Sequence, residues 1–421
     1  MAGLSPLPWR LWRHRSAFNL SSATESIDVD ATFGRGVELE SEPWFPRKAV
    51  TSVTESEDAP SGFTAHTLHV RWDSLPMLLP DGELDSSVWW NDLSATWGDW
   101  VEDNPISCKS NSIGWMVEFP QYEAQILPLD EDGHGRRLSE LNCTELQTAI
   151  GGIQHQGRDV ILIFDKKDPE PLPRDPLHLR MAGAALGRFH SLCGHQLSIP
   201  NDERAWNKRL DILEPRTRSA TKWRAPHSAD TQGTITHRNF GLEICHLMDG
   251  RVIIRGCVGG IYNALVPETS PSPALRDVAA GVQGLSREDR HAFCEGWTST
   301  APEHWSSSKA LDSHRGGLII WEYEQHLEQR LFHQSWGLDE PEKITHFLAS
   351  VSSVQNRMYQ ARTLAAAGLI CLTIPPVTVL YWLFYPDAAD PSIFDGTAMV
   401  ALLGIGGLLR RMYRAAAPKP W

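Results

Sequence analysis

One stretch of this 421-residue chain carries residue types arranged for chemistry. Thr236-His237-Arg238-Asn239-Phe240-Gly241-Leu242-Glu243-Ile244 is followed closely by Asp249-Gly250-Arg251-Val252-Ile253-Ile254-Arg255-Gly256. A polar loop, a turn and an apolar strand form the layout that phosphoryl transfer uses. There an Asp faces the hydroxyl nucleophile, while an Asn and a second Asp hold Mg²⁺. Here the layout is present and the carboxylates are missing. No Gly-rich phosphate loop accompanies it, and no G-x-S-x-G elbow or placed triad marks a hydrolase. The histidines near Cys193 (His190, His195) and near Cys245 (His237, His246) match no zinc spacing.

The elements that would hold such a loop follow from periodicity. From Trp44 to about Phe164, short apolar or alternating runs (HTLHVRW, IGWMVEF, AQILPL, VILIF) are separated by Pro, Gly and Asp clusters. They predict strands of an antiparallel sheet. One helix is expected among them, over LSELNCTELQTAI, with Leu138, Leu141, Leu146 and Ile150 on its apolar face. The segment Asp165-Lys166-Lys167-Asp168-Pro169-Glu170-Pro171 reads as a hinge. Beyond it the chain turns helical. Leu177, Met181, Leu186 and Phe189 are expected on one helix face, Ser286 with Asp289 caps a helix carrying Phe293 and Trp297, and Asp339-Glu340-Pro341 opens another. The expected organisation is α+β and bilobal. It comprises a disordered polar segment 1–40, a sheet-rich lobe 41–164, a helical lobe 165–335 and a connecting helix 336–362.

Residues 178–300 resemble the C-terminal lobe of the aminoglycoside phosphotransferase and choline-kinase-like group, which is also similar to lipopolysaccharide kinases. Leu186-Gly187-Arg188-Phe189-His190 is similar to that group's "LGRLH" helix. The stretch from His237 follows its H-G-D-x-x-x-x-N loop and DGRVxLID strand, and Pro273-Ala274-Leu275-Arg276-Asp277-Val278-Ala279 resembles its "PALRDLA" segment. The resemblance implies a protein-kinase-like fold and assigns each position. His237 matches the family His, Arg238 stands for Gly, and Asn239 for the catalytic Asp, whose proton-accepting role an amide cannot fill. Ile244 replaces the Mg²⁺-binding Asn, and Gly256, preceded by Arg255, replaces the second metal-binding Asp. Magnesium held through nucleotide phosphates needs one or two protein carboxylates, so no metal site is expected. Asp277 matches the residue that braces the catalytic loop. In the N-terminal lobe neither Lys48 nor Lys109 lies in the context of a phosphate-binding strand Lys, and Glu140 and Glu145 are the candidates for its helix partner.

The formal net charge of −13 argues against a nucleic-acid partner. Seven scattered Cys without a CxxC pair point to reduced thiols rather than a disulfide framework. The 17 Trp are expected as core and interface anchors. The N-terminus, with Arg10, Arg13 and Arg15, reads as a basic tail, the alternatives being a transit peptide or a membrane-surface arm using Trp9 and Trp12.

Leu364 to Phe384 contains no charge and is long enough to cross a bilayer, with Pro375-Pro376 expected to kink it. Tyr381, Trp382 and Tyr385 fit an aromatic belt. Gly396 to Leu409 would complete a transmembrane helical hairpin over 363–411, before a tail 412–421. Gly404, Gly406 and Gly407 would allow close helix contact. Arg357 and Arg362 before the hairpin, and Arg410, Arg411 and Arg414 after it, contrast with Asp387, Asp390 and Asp395 in the connection. Both termini and the soluble domain are therefore expected in the cytoplasm.

These readings favour a membrane-anchored pseudokinase, a scaffold, regulator or ligand-binding module with a protein partner and no cofactor. The alternatives are an atypical phosphotransferase on a small molecule or membrane-linked sugar, or a structural subunit of a membrane complex. An active enzyme would bind ATP and Mg²⁺ and need Glu243, Asp249 or Glu268 in the metal role.

Overall fold

The apolar run at Val160–Phe164 becomes the centre of a sheet, and the rest of the first half assembles around it. The computed structural model describes residues 39–129, 133–167, 169–200, 202–219, 222–223, 231–256, 271–307, 310–311, 317–385 and 392–416. The basic N-terminal residues, Asp168, Glu268, Asp387 and Asp390 lie outside them. An antiparallel sheet comes first, with strands β1 (Val50–Ser56), β2 (Phe63–Val70) and β3 (Asp73–Pro80) in sequence order. Helix α1 (Ser87–Asn91) leads to β4 (Trp97–Gly98), β5 (Ser107–Ser110), β6 (Trp115–Glu118) and β7 (Tyr122–Ile126). After helix α2 (His134–Ser139) come β8 (Leu146–Gln147), β9 (Gly151–His155) and β10 (Arg158–Asp165).

The second sheet has the order β4-β9-β10-β7-β6-β5, with every pair antiparallel. Both faces of β10 are covered. Ile161 and Ile163 join Val117, Phe119 and Ile153 on one side, while Leu162 and Phe164 meet Leu127 and Ala149 on the other. Cover on both faces explains a continuous apolar run instead of alternation.

The expected helix over Leu138–Ile150 is a correction. Helix α2 ends at Ser139, Asn142 turns to φ 51°, and Leu146 lies in a strand. Leu146 and Gln147 form a parallel ladder with a strand of the second half, which overrides the local helical spacing.

The second half begins with β11 (Glu170–Pro171) and helix α3 (Pro176–Gln196), capped by the Asp175 carboxylate with Pro at the first position. Next are α4 (Glu203–Arg216), β12 (Gly233–Thr234), β13 (Cys245–Met248), β14 (Arg251–Arg255) and β15 (Ser272–Pro273). Helices α5 (Leu275–Gly281), α6 (Arg287–Thr300) and α7 (Ile319–Trp336) complete the domain. The Ser286 hydroxyl caps α6 by accepting from Asp289 N. α3 and α6 touch through glycines, since a Cβ at Gly183 would lie 2.0 Å from Phe293 O and one at Gly296 equally close to Arg180 O. The buried face of α3 is Leu179, Ala182, Leu186, Phe189 and Cys193. Leu177, expected there, is 60% exposed, because it lies in the first turn, before the helix meets α6.

Four buried charges tie three helices together. Arg209 of α4 and Arg276 of α5 both pair with Glu324 and Glu328 of α7. The Trp336 end of α7 also anchors the start of the described chain: Trp336 Nε1 donates to Pro43 O (2.6 Å), and Lys48 N to Ser335 O (2.8 Å).

Helix α8 (Glu342–Phe384) is continuous through Pro375 and Pro376, so the expected connecting helix and first apolar run are one element. Its first half buries a stripe of Ile344, Leu348, Val351, Gln355, Met358 and Ala361 against the domain. Its second half and α9 (Ile393–Ala416) are long and apolar enough to cross a membrane and are almost wholly exposed, 11% and 6% buried. They pack as a hairpin through Gly368 and Gly406. A Cβ at Gly406 would lie 2.7 Å from Leu372 and 3.1 Å from Gly368 O. Gly404 and Gly407 face open space instead, having nothing within 4 Å of such a Cβ.

Removing either arginine of the four-charge group leaves two buried carboxylates facing one cation. Arg276→Met is expected to cost about 3 kcal/mol or more, measured by denaturation of the full chain in detergent.

Candidate functional site

The loop at His237 is held by one carboxylate. Asp277, in the first turn of α5 and 2% exposed, accepts from His237 N (2.6 Å), Arg238 N (3.2 Å) and the His190 ring (3.0 Å). Trp297 of α6 donates its indole N–H to His190 Nδ1 at 2.9 Å. An indole nitrogen only donates, so His190 Nδ1 is the acceptor and Nε2–H points to Asp277. His237 is fully buried, and its Nε2 donates to Arg255 O (2.8 Å) at the end of β14. Burial pushes its pKa down and outweighs the nearby Asp277 carboxylate. Arg238 takes φ 70°, the left-handed region where glycine is at ease, at a cost of roughly 1–2 kcal/mol for an L residue.

Arg255 reaches from β14 of the second half to the sheet of the first. Its guanidinium pairs with Glu123 of β7 at 2.5 Å, lies 3.8 Å from Met116 Sδ on β6, and sits over the Phe164 ring of β10 at 5.6 Å. The next residue is closed in by backbone. Gly256 N donates to Gln147 O at 2.8 Å, and a Cβ at Gly256 would lie only 2.9 Å from that oxygen. Ile254 N donates to Glu145 O (2.8 Å), extending the β8–β14 ladder across the two halves. Glu145 also accepts from Arg188 of α3 at 2.6 Å. Sequence reasoning missed the Glu123–Arg255 pair, because nothing local in β7 marks Glu123.

Asn239 lines a cavity of about 340 Å³ on the helical side of the loop. Arg174, Arg238 and Lys343 contribute its cations, Gln283, Gln325 and Gln329 its amides, and Glu243 and Glu328 its carboxylates. Ile244 ends a short helical turn (Leu242–Ile244) and packs against the core. Asp249 stands exposed in the turn before β14, on the order of 15–20 Å from Gly256 at the usual strand rise. Lys109 is exposed and paired with Glu118, and Glu140 with Arg136. Lys48 is exposed beside Gly337. The residues at the matching positions do not fit Mg²⁺: an apolar side chain at 244, a backbone-closed glycine at 256 and a cation at 255 leave no oxygen ligand set. Among the described residues no cluster of His, Cys, Asp and Glu could hold a metal.

No protein-family model and no curated protein matches the chain. Among solved structures it is similar to a glucosamine kinase in complex with glucosamine, ADP and inorganic phosphate. That match is 11% identical, covers 72% of this chain and 92% of that one, and has a TM-score of 0.43. It is also similar to the Plasmodium vivax ethanolamine kinase (10% identity, 57% and 78% covered, TM-score 0.34). A spectinomycin phosphotransferase in complex with ADP and spectinomycin matches at 11% identity, with 72% and 94% covered and a TM-score of 0.27. These neighbours all have the kinase-like fold. The groups to which the sequence shows its resemblance are of the same kind.

Two outcomes test the loop's support. Asp277→Asn exchanges a charged acceptor for an amide and is expected to cost about 1–3 kcal/mol, with faster hydrogen exchange at the amides of 237 and 238. Because His237 is buried neutral with a lowered pKa, only the unfolded chain takes its proton just below pH ~6.5. Stability should therefore fall as the pH drops through that value. His237→Gln should flatten the profile, read as melting temperature against pH.

Proposed function

We propose that this chain is a membrane-anchored, kinase-like protein that has given up phosphoryl transfer and serves as a ligand-binding or scaffolding module. The observation that carries the reading is the closure at Gly256 and Arg255. A metal-binding Asp at 256 would drive its Cβ into Gln147 O, whose acceptance of Gly256 N is part of the ladder joining the halves. One substitution could not restore the ligand without moving that ladder. Arg255, tied to Glu123, supplies positive charge between the lobes where an active enzyme would place Mg²⁺. Asn239 in addition offers no base.

The apolar, exposed second half of α8 and α9 supports insertion as a hairpin, since so large an apolar surface is unfavourable in water. The cations flanking the hairpin support a cytoplasmic domain with both termini on the same side. A protein partner fits a module whose shape has outlasted its chemistry. A second reading, an atypical phosphotransferase, is favoured only by Glu243, which shares the cavity with Asn239.

A melting experiment on the detergent-solubilised chain decides between them. With ATP near a hundredfold above a binding constant, an active site gives about 2.7 kcal/mol of stabilisation. We expect no stabilisation that depends on Mg²⁺. A Mg²⁺-dependent shift lost in Glu243→Gln would establish the phosphotransferase instead.

A further inference from the structure

Arginines gather at one end of the apolar hairpin. The protein carries a formal −13, yet neither α8 from Lys343 to Phe384 nor α9 from Gly396 to Ala416 contains an Asp or Glu. Arg357 and Arg362 stand on α8 just before its apolar half, and Arg410, Arg411 and Arg414 on α9 just after its own apolar run. Packing between the helices sets their heights. A Cβ at Gly368 would lie 3.3 Å from Leu409 Cβ and 3.5 Å from Arg410 N, so the start of the apolar half of α8 meets the end of that of α9. Counted away from this contact at 1.5 Å per residue, Arg362 and Arg414 come to similar heights, roughly 7–9 Å beyond it. With Arg410 and Arg411 they occupy a band comparable in depth to one headgroup layer. Tyr413 shares the band, where interfacial aromatics belong. Arg357 lies further out, about 16 Å from the contact.

The fold itself asks for less charge than this. One cation in the last turn answers the partial charge of a helix C-terminus, and Arg414 does so for α9. Arg362 rests over the Tyr359 ring, 5.9 Å from its centroid. Arg357, Arg410, Arg411 and Arg414 are exposed, and among the described residues they make no ion pair. On the domain side Gln355 Nε2 donates to Lys222 O at 2.9 Å, which adds a further exposed cation. The carboxylate of that region, Glu214, is buried and already accepts from Trp223 N and the Tyr323 hydroxyl. Guanidinium groups so close together repel one another, and an anion shared among them relieves the repulsion.

From this we infer that the domain-side end of the hairpin is a binding site for the phosphate groups of net-anionic phospholipids. Guanidinium donors grip a phosphate in two places, and a headgroup without its own amine leaves that negative charge uncompensated. The inference rests on the membrane reading of the previous subsection and adds the lipid class. Height decides the source of the phosphate. The cations begin where both apolar runs end, at headgroup depth, which selects a lipid over a phosphate in free solution. No bond is made or broken.

The full chain mixed with phosphatidylcholine vesicles, with and without phosphatidylglycerol, tests this. Flotation reads insertion, and spin-labelled forms of the two lipids report which one the protein surface holds. The chain should float with both kinds of vesicle and hold phosphatidylglycerol about fivefold or more tighter than phosphatidylcholine, the factor that one cation near an anionic surface supplies. The preference should shrink as salt rises. Changing Arg410, Arg411 and Arg414 together to Gln should remove most of it, and changing them to Lys should retain it. Arg357→Gln, a single exposed change, should reduce it in part, while Lys109→Gln, in β5 of the domain, should leave it unchanged. Equal binding of the two labels by a chain that floats would overturn the lipid inference and leave the membrane reading standing. So would a preference that survives both Gln variants, or one abolished by inorganic phosphate at matched ionic strength. A chain that floats with neither vesicle would overturn the membrane reading and this inference with it.

Discussion

The carboxylate of Asp277 is the constraint on which the site depends. A buried carboxylate needs hydrogen bonds to offset its desolvation, and this one finds them in two consecutive backbone amides and an imidazole. Those bonds fix the loop to α5, and through His190 and Trp297 they fix it to α3 and α6 as well. Its neighbour Arg276 reaches the opposite way, to Glu324 and Glu328. Two adjacent residues of one short helix thus join the loop to the helical core. The left-handed backbone at Arg238 is held because both flanking features, the amide bonds to Asp277 and the His237 bond to Arg255 O, over-determine it.

The same economy joins the two halves. An active phosphotransferase keeps the space between them open for a nucleotide and polarises it with metal and carboxylates. Here an ion pair spans it, with the Arg255 guanidinium on the lower strand and the Glu123 carboxylate on the roof. The pair is about one-fifth exposed on each side, and the β8–β14 ladder excludes a side chain at 256 alongside it. Backbone bonds of the β8–β14 ladder and the Glu123–Arg255 ion pair therefore hold the two halves together.

How much of this can be read in the sequence depends on the range of the interaction. The Ser286 cap and the β10 run are local signals and are legible. The residue types at 237, 239, 244, 256 and 277 are legible as a pattern, because their spacing is carried by one loop, one strand and one helix start. Leu146 misleads, since its place in an apolar series suits a helix until a strand 108 positions on claims it. The Glu123–Arg255 pair and the four-charge group are invisible in one sequence: their members lie 48 to 132 residues apart, and charged residues at such separations are normally solvated. The glycines of the hairpin show the same limit, for composition marks a close approach and only packing shows that Gly406 makes it.

The cavity and the apolar hairpin share one rigid element. Lys343 at the cavity and the exposed apolar residues beyond Leu364 belong to α8, whose intervening stripe is packed against the domain. From Glu342 to Ala361 that helix measures about 30 Å at 1.5 Å per residue. On the membrane reading the domain therefore stands along its own stalk, with the cavity far from the hydrocarbon. Lys343 stands in the first turn of the helix whose second half is apolar and exposed. No loop separates the two, since the buried stripe from Ile344 to Ala361 runs directly into the exposed apolar half of the same helix.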